Sequence, residues 1–143
     1  MRRRIAIAVA LMLFSACGGG STSPSPTPAL NLAGTWTGSW QFVTSGATVV
    51  DTVTATLTQT GTTVSGTWTS ESGATGQISN LAAQASVSGS LTISQPTLTG
   101  PTCTATTSVS GTASASSIDL TLPQIPASGV CQWGSSMQFS LHK

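Results

Sequence analysis

From residue 30 onward, apolar and polar residues alternate along the chain without any sustained spacing of three to four. Alternation of period two, interrupted by Gly, Ser, Asn and Pro clusters, indicates β-strands, and its repetition at short intervals is typical of an all-β sandwich or barrel. About 114 residues suffice for one such domain. The pattern predicts eight strands, over residues 34–44, 48–59, 63–71, 75–82, 85–94, 103–114, 117–123 and 132–142.

One face of these predicted strands is apolar, and the other consists almost wholly of Thr and Ser. In the second strand, Val53, Ala55 and Leu57 alternate with threonines. β-branched hydroxyl side chains suit an exposed pleated surface, which keeps a chain with few charges soluble. The remaining apolar positions are Trp36, Trp40, Phe42, Val64, Trp68, Val87, Leu91, Ile93, Ala105, Val109, Ala113, Ile118, Leu120, Leu122, Trp133, Met137, Phe139 and Leu141, with Ile78 and Leu81 in the fourth strand.

The connections between the predicted strands are short, as in Thr60-Gly61-Thr62, so neighbouring strands are expected to pair as hairpins. A meander of eight strands with one apolar face can close on itself as an up-and-down barrel, which leaves no free sheet edge. A β-sandwich is the alternative. A membrane barrel needs an outward apolar band with aromatic girdles. The large residues are too few for such a band and a packed lumen, so the apolar face is predicted to point inward.

Four segments share a glycine at the centre of the alternation: WTGSW at 36–40, VSGTW at 64–68, VSGSL at 87–91 and VSGTA at 109–113. Their glycines, Gly38, Gly66, Gly89 and Gly111, all fall on the apolar face. Glycines at such positions can bend the strands and receive neighbouring tryptophan rings. They can also hollow the lumen, which in an eight-stranded barrel is just wide enough for a small ligand. The bending interpretation is favoured, and the two are compatible.

The segment Leu32-Ala33-Gly34-Thr35-Trp36 resembles the Gly-x-Trp that begins the first strand of the calycin barrels, the lipocalins and avidins, and Val64–Trp68 is similar to avidin-type strands. The resemblance implies an eight-stranded barrel with Trp36 packed across its closed end and a small molecule bound at the open end. The chain has no tyrosine, so the avidin hydrogen-bonding pocket does not carry over and biotin is not expected. Some bacterial metalloprotease inhibitors, small exported barrels with one disulfide, are similar to this plan and act through an amino-terminal segment.

Residues 1–16 have the layout of a secretory signal peptide, with three arginines, an apolar run and small residues before Cys17. The run is too short to cross a bilayer, which takes about 20 apolar residues. Leu13-Phe14-Ser15-Ala16-Cys17 resembles the lipobox of bacterial lipoproteins, in which the cysteine is acylated and becomes the new amino terminus. An ordinary secretory signal with an unrelated cysteine is the alternative.

Residues 17–29 are predicted to form a lipidated stalk, because Gly18–Pro28 offers no side chain that could pack a core. Its glycines favour flexibility and its alternating prolines favour an extended polyproline conformation. Several acyl chains give stable membrane attachment, which one chain does not. Lipoproteins retained at the inner membrane usually carry Asp where this chain has Gly18, so the resemblance implies anchoring at the outer membrane of the cell envelope.

After removal of the signal peptide, Lys143 is the one cationic side chain against Asp51, Glu71 and Asp119, a net charge of −2. Nucleic-acid binding is therefore not expected, because its affinity rests on neutralising phosphates. Export to an oxidising compartment, with Cys17 lipidated, leaves Cys103 and Cys131 as a pair. We predict a disulfide between them, with two buried free thiols as the alternative.

Residues for catalysis are scarce in this chain. The sole histidine, His142, is predicted to face outward, and the many serines lack the adjacent base that activates a hydroxyl nucleophile. The three acidic residues are too dispersed to argue for a carboxylate pair or a metal site, and no cofactor is expected. Asp51 falls on the inward side of the second strand near a barrel mouth. There it is either a solvated strand-end residue or a group that orients a ligand.

These observations predict a noncatalytic, envelope-anchored lipoprotein whose barrel binds a small apolar or amphiphilic molecule. The alternative is a barrel with a filled core that contacts a protein or glycan, as a protease inhibitor or an adhesion or structural protein of the envelope does. The volume of the lumen separates the two hypotheses. The candidate ligand-binding residues are Trp36, Gly38, Trp40, Asp51, Gly66, Trp68 and Trp133.

Overall fold

A computed structural model describes residues 29–44, 46–97 and 100–143 of the chain. The predicted signal peptide, the lipobox with Cys17 and stalk residues 17–28 lie outside the described residues. The described ranges contain no helix with the length and apolarity needed to cross a bilayer.

Eight antiparallel strands form a closed barrel in which each strand pairs with the next and β8 pairs with β1. The predicted up-and-down barrel is therefore confirmed, and seven strands lie within one residue of their predicted bounds at each end. The strands are β1 (Gly34–Thr44), β2 (Ala47–Thr60), β3 (Thr63–Ser70), β4 (Thr75–Ala82), β5 (Ser86–Gln95), β6 (Cys103–Ala113), β7 (Ser117–Leu122) and β8 (Ser135–His142).

The start of β8 differs from the prediction, which placed it at residue 132. Cys131 and Ser128 exchange two backbone hydrogen bonds of 3.0 Å, so the chain makes a tight turn just before this point. Trp133 follows that turn and precedes the strand. The apolar alternation continues into the connection because Trp133 packs against the core without being part of the sheet.

The predicted inward side chains form the core. In β2, Val53, Ala55 and Leu57 are buried, and the threonines between them are exposed. Phe42, Ala105 and Trp133 are only partly buried, and the other predicted apolar-face residues of the strands are buried. One face of the sheet therefore fills the barrel, and the hydroxyl-bearing face covers it.

The fourth strand contains a bulge that a strict period of two does not anticipate. Ile78 and Leu81 are three residues apart, yet both are buried. The β3–β4 register shifts between Val64 and Gly66, opposite this stretch, and Asn80 has a φ of 55°. A bulge inserts one residue, so it returns Leu81 to the inward face.

The segment before β1 covers one end of the barrel, here called the entry end. The backbone N–H of Leu30 donates to the Ala83 carbonyl at 2.9 Å. The Gln59 side chain accepts from the Leu32 N–H and donates to the Leu30 carbonyl, both at 2.8 Å. Trp36 is buried beside this segment and donates its indole N–H to the Leu32 carbonyl at 2.9 Å. The opposite end, called the loop end, carries the β1–β2, β3–β4, β5–β6 and β7–β8 connections.

Candidate functional site

Aromatic rings from three strands meet inside the loop-end half of the barrel. The centroid of the Trp40 ring lies 4.9 Å from that of Phe42 and 5.6 Å from that of Trp68, which in turn lies 5.2 Å from that of Phe139. These side chains come from β1, β3 and β8, so the contacts run across the interior. Tilted and edge-on contacts of this kind are favourable arrangements for aromatic pairs.

Asp51 is hydrogen-bonded to this aromatic cluster through Trp40. β1 and β2 are joined by only two residues, which places Trp40 directly opposite Asp51. The buried indole N–H of Trp40 donates to Oδ2 of Asp51 at 3.3 Å. Ser72, in the β3–β4 turn, donates to the same oxygen through its hydroxyl and its backbone N–H. The carboxylate therefore joins the first hairpin to the β3–β4 turn.

Two opposing influences set the pKa of Asp51. Burial raises the pKa, whereas hydrogen bonds from Ser70, from the hydroxyl and backbone N–H of Ser72 and from Trp40 lower it. The hydrogen bonds prevail, and the pKa lies below its ordinary value of 3.8. The carboxylate is consequently ionised at neutral pH and accepts hydrogen bonds from Trp40 and Ser72.

The four motif glycines mark places where backbones approach closely. A Cβ at Gly38, Gly66 or Gly111 would overlap the carbonyl oxygen of Ser140, Thr56 or Asp119, respectively, in the neighbouring strand. A Cβ at Gly89 would lie 2.9 Å from the Leu81 Cα. The added atom meets backbone in each case, so this geometry supports the bending interpretation of the motif.

Gly76 in β4 also marks a close approach of neighbouring backbone, although it lies outside the motif. A Cβ there would overlap the Thr92 carbonyl oxygen and lie 2.6 Å from Nε1 of Trp68, which donates to that oxygen at 3.3 Å. The outer wall at this point has an open depression of about 400 Å³. Its lining carries hydroxyl and amide groups and no charge, and consists of Thr67, Trp68, Thr69, Thr75, Gly76, Gln77, Thr92 and Ser94.

The predicted disulfide is confirmed between Cys103 and Cys131, with Cα atoms 5.5 Å apart. It joins the start of β6 to the turn that precedes β8 at the loop end. A groove of about 220 Å³ lies beside it, and Val130 at its rim is 69% exposed. The groove is lined by Gln95, Pro96, Thr97, Cys103, Val130, Gln132 and Trp133.

The predicted ligand-binding residues do not form one site. Trp40, Asp51 and Trp68 come together in the loop-end half of the barrel, whereas Trp36 is buried at the entry end. Trp133 lines the groove beside the disulfide, and Gly38 and Gly66 face backbone of neighbouring strands.

Sequence reasoning missed Ser72 and Val130 as residues of the loop end. Ser72 precedes a turn glycine, Gly73, with a φ of 89°, and this local signal marks a turn without identifying its partner. Val130 is an apolar residue between Gly129 and a cysteine, and that context could have indicated an exposed turn.

The titratable groups of the described residues are dispersed. His142, Asp119 and Glu71 are exposed on separate strands and turns. Within residues 29–44, 46–97 and 100–143, no three His, Cys, Asp or Glu side chains are grouped as metal ligands would be.

The calycin resemblance implies a barrel of the kind observed, and membership of that group stays a prediction. No family model matches this chain, and no curated protein or solved structure matches it.

Proposed function

We propose that this protein is a noncatalytic binding module, anchored by lipid at the cell envelope, that contacts a protein partner through the loop end of its barrel. The observation that carries the proposal is the position of the exposed large apolar side chains. Among the described residues these are Val49, Val50 and Val130, and all three belong to the loop end. Exposed apolar residues confined to one end of an otherwise polar surface favour an interaction site at that end.

The two half-buried aromatic residues nearby extend this apolar surface. Phe42 lies opposite Val49 in the first hairpin, and Trp133 lines the groove whose rim is Val130. Both side chains pack against the core and are therefore held in place. Rigid aromatic side chains with partial exposure contribute much of the binding energy at protein interfaces.

The route of the chain into the barrel supports the same surface. Residue 30 enters beside Ala83 and Gln59 at the entry end. A lipid at Cys17, joined to the barrel through the predicted stalk, would hold that end toward the membrane. The loop end would then face away from the membrane, where an envelope protein can reach it.

The packing of the interior favours a protein partner over a ligand in the lumen. The rings of Trp40, Trp68 and Phe139 occupy the loop-end half of the interior. Backbone atoms of neighbouring strands occupy the space beside the motif glycines. An eight-stranded barrel has room for packed side chains or for one small ligand. In this barrel, aromatic rings occupy the loop-end half of that interior space.

A small amphiphilic ligand is the second candidate, and the groove of about 220 Å³ beside the disulfide is the observation that favours it. Pro96, Val130 and Trp133 offer apolar surface, and Gln95, Thr97 and Gln132 offer polar groups. A fatty acid bound there should perturb tryptophan emission saturably with a stoichiometry of about one to one. Val130→Asp should abolish that change if the groove is the site.

Site-specific photocrosslinking in cells tests the protein-binding proposal. A photoreactive amino acid at Val130 should yield a discrete protein adduct, and the same probe at Thr56 should not, because Thr56 is exposed on the side wall of the barrel. No adduct from Val130, or equal adducts from both positions, would contradict the proposal.

The anchor is tested separately by metabolic labelling with a fatty acid. The full chain should incorporate the label, and Cys17→Ser should not. Label retained in the serine variant would refute acylation at Cys17 and leave the loop-end experiment unaffected.

A further inference from the structure

The first hairpin of the barrel extends beyond its neighbour on one side. β2 begins at Ala47, but its pairing with β3 ends at Val53, opposite Ser70. Beyond that pair, the Glu71 N–H donates to the Thr52 carbonyl at 3.1 Å. Within the described part of the chain, residues 47–51 then have β1 as their only strand neighbour. The closed barrel therefore still has a short free edge.

The backbone groups on that edge follow from the alternation of a strand. The Thr52 carbonyl points toward the β3 side, since it accepts from Glu71. Backbone groups two residues apart point the same way, so the N–H and C=O of Val50 and Thr48 also point away from β1. These four groups are available for another strand.

The stretch Thr48–Val50 of this edge carries none of the charged or proline residues that usually prevent strand addition, and Asp51 is the one charge beside it. Thr48, Val49 and Val50 are all β-branched, and neither a lysine nor a proline interrupts them. Val50 is 58% exposed and Val49 is 36% exposed. Natural sheets protect free edges with charge, proline or bulges, and an unprotected apolar edge is prone to pair with another chain.

We infer that this edge pairs with the same edge of a second copy of the chain, forming a two-fold symmetric antiparallel dimer. In the register centred on Val49, that residue lies opposite its own counterpart and Thr48 lies opposite Val50. The outward backbone groups of Thr48 and Val50 then make four hydrogen bonds between the copies. A two-fold axis requires such self-complementarity.

The charges of the segment agree with a second copy as the occupant. Asp51 is the only charged residue of the segment 47–51. In this register it lies opposite Ala47 of the other copy. No like charges therefore face each other. The three central facing pairs, Val49 with Val49 and the two pairs of Thr48 with Val50, consist of β-branched side chains, which stabilise cross-strand contacts.

Disulfide trapping tests the register directly. The full chain is purified with Cys17→Ser, so that an introduced cysteine is the one thiol outside the Cys103–Cys131 disulfide. Val49→Cys should oxidise to a covalent dimer, because directly opposite residues in a non-hydrogen-bonded pair have Cα atoms about 4.5 Å apart, within disulfide range. Thr52→Cys is the matched control and should stay monomeric, since its counterpart lies several residues away. Equal trapping at both positions, or none at Val49→Cys, would overturn the proposal.

Sedimentation equilibrium measures the association without a crosslink. The parent chain should dimerise reversibly, and Val50→Lys should raise the dimer Kd at least about tenfold, since it removes the β-branched side chain opposite Thr48 and places like charges near the axis. Thr56→Lys adds the same charge at an outward position of β2 that is paired on both sides, and should leave the Kd unchanged. A parent chain that stays monomeric, as expected if the edge binds a different protein, would refute self-pairing. An adduct from the Val130 probe with the mass of two copies would report this dimer, whereas an adduct with a different protein would report the proposed partner, so the two proposals can fail separately.

Discussion

Trp40 and Asp51 face each other across the first hairpin, and the indole N–H of Trp40 donates to the carboxylate at 3.3 Å. Trp40 is 2% exposed, so its N–H has little access to water. Ser72 binds the same carboxylate oxygen from the β3–β4 turn. One carboxylate thus satisfies a buried donor and adds a side-chain link between the first hairpin and the β3–β4 turn.

We predict that Asp51→Ala destabilises the barrel by about 1–2 kcal/mol, because a buried donor loses its acceptor. Asp51→Asn keeps an acceptor oxygen at that position and should lose roughly half as much. Urea denaturation monitored by tryptophan emission measures both values. Equal stability of Asp51→Ala and the parent would show that water replaces the carboxylate at no cost.

The lowered pKa of Asp51 predicts a loss of stability in acid. The folded state favours the ionised carboxylate, so its contribution is fully present above the unfolded pKa and is lost as the pH falls through the lower folded pKa. The difference in the free energy of unfolding between the parent and Asp51→Asn should be constant above about pH 5 and shrink below it. Urea titrations between about pH 2 and pH 7 test this, and a difference that grows in acid would have the wrong sign.

Gly111→Ala should destabilise the barrel by about 1–3 kcal/mol, because the methyl group would overlap the Asp119 carbonyl oxygen and force β6 and β7 apart. Ser110→Ala is the matched control in the same strand, since Ser110 is exposed. It should change stability by less than about 0.5 kcal/mol. A tolerated alanine at Gly111 would mean that the glycine faces free space.

Loss of the disulfide should cost about 3.5 kcal/mol in the chain-entropy model, given the sequence separation of 28 between Cys103 and Cys131. The double variant Cys103→Ala/Cys131→Ala provides the comparison in denaturation experiments. Intact mass after alkylation should show both thiols only when the protein has been reduced. Alkylation of the native, unreduced protein at both cysteines would contradict the bond.

The strands could be predicted from the sequence because apolar and polar side chains alternate along most of them. The alternation does not predict which residues belong to a strand or face the core where the backbone leaves regular strand geometry. Trp133 continues the period but follows a turn, and Leu81 breaks the period but is returned to the core by the bulge at Asn80. Both departures depend on contacts made only after folding.

The candidate site could be predicted less completely. The two-residue connection between β1 and β2 is enough to place Trp40 opposite Asp51. The hydrogen bond from Ser72 depends on how far the β3–β4 turn leans over the hairpin, which is a property of barrel curvature. The motif placed Gly38 on the inward face, but only the coiling of adjacent strands determines that its missing Cβ would meet Ser140.

The pairing of β1 with β8 has a consequence for the order in which this fold can form. Gly38 pairs with Leu141, so β1 cannot complete its pairing until β8 is present. A chain made from its amino terminus holds an incomplete, two-edged sheet until Ser135–His142 has appeared. Contacts this distant in sequence slow folding, because their loop-closure entropy is lost before any closing contact forms. The barrel can therefore close only after β8 has been made, and this strand converts an open sheet with two free edges into a closed barrel.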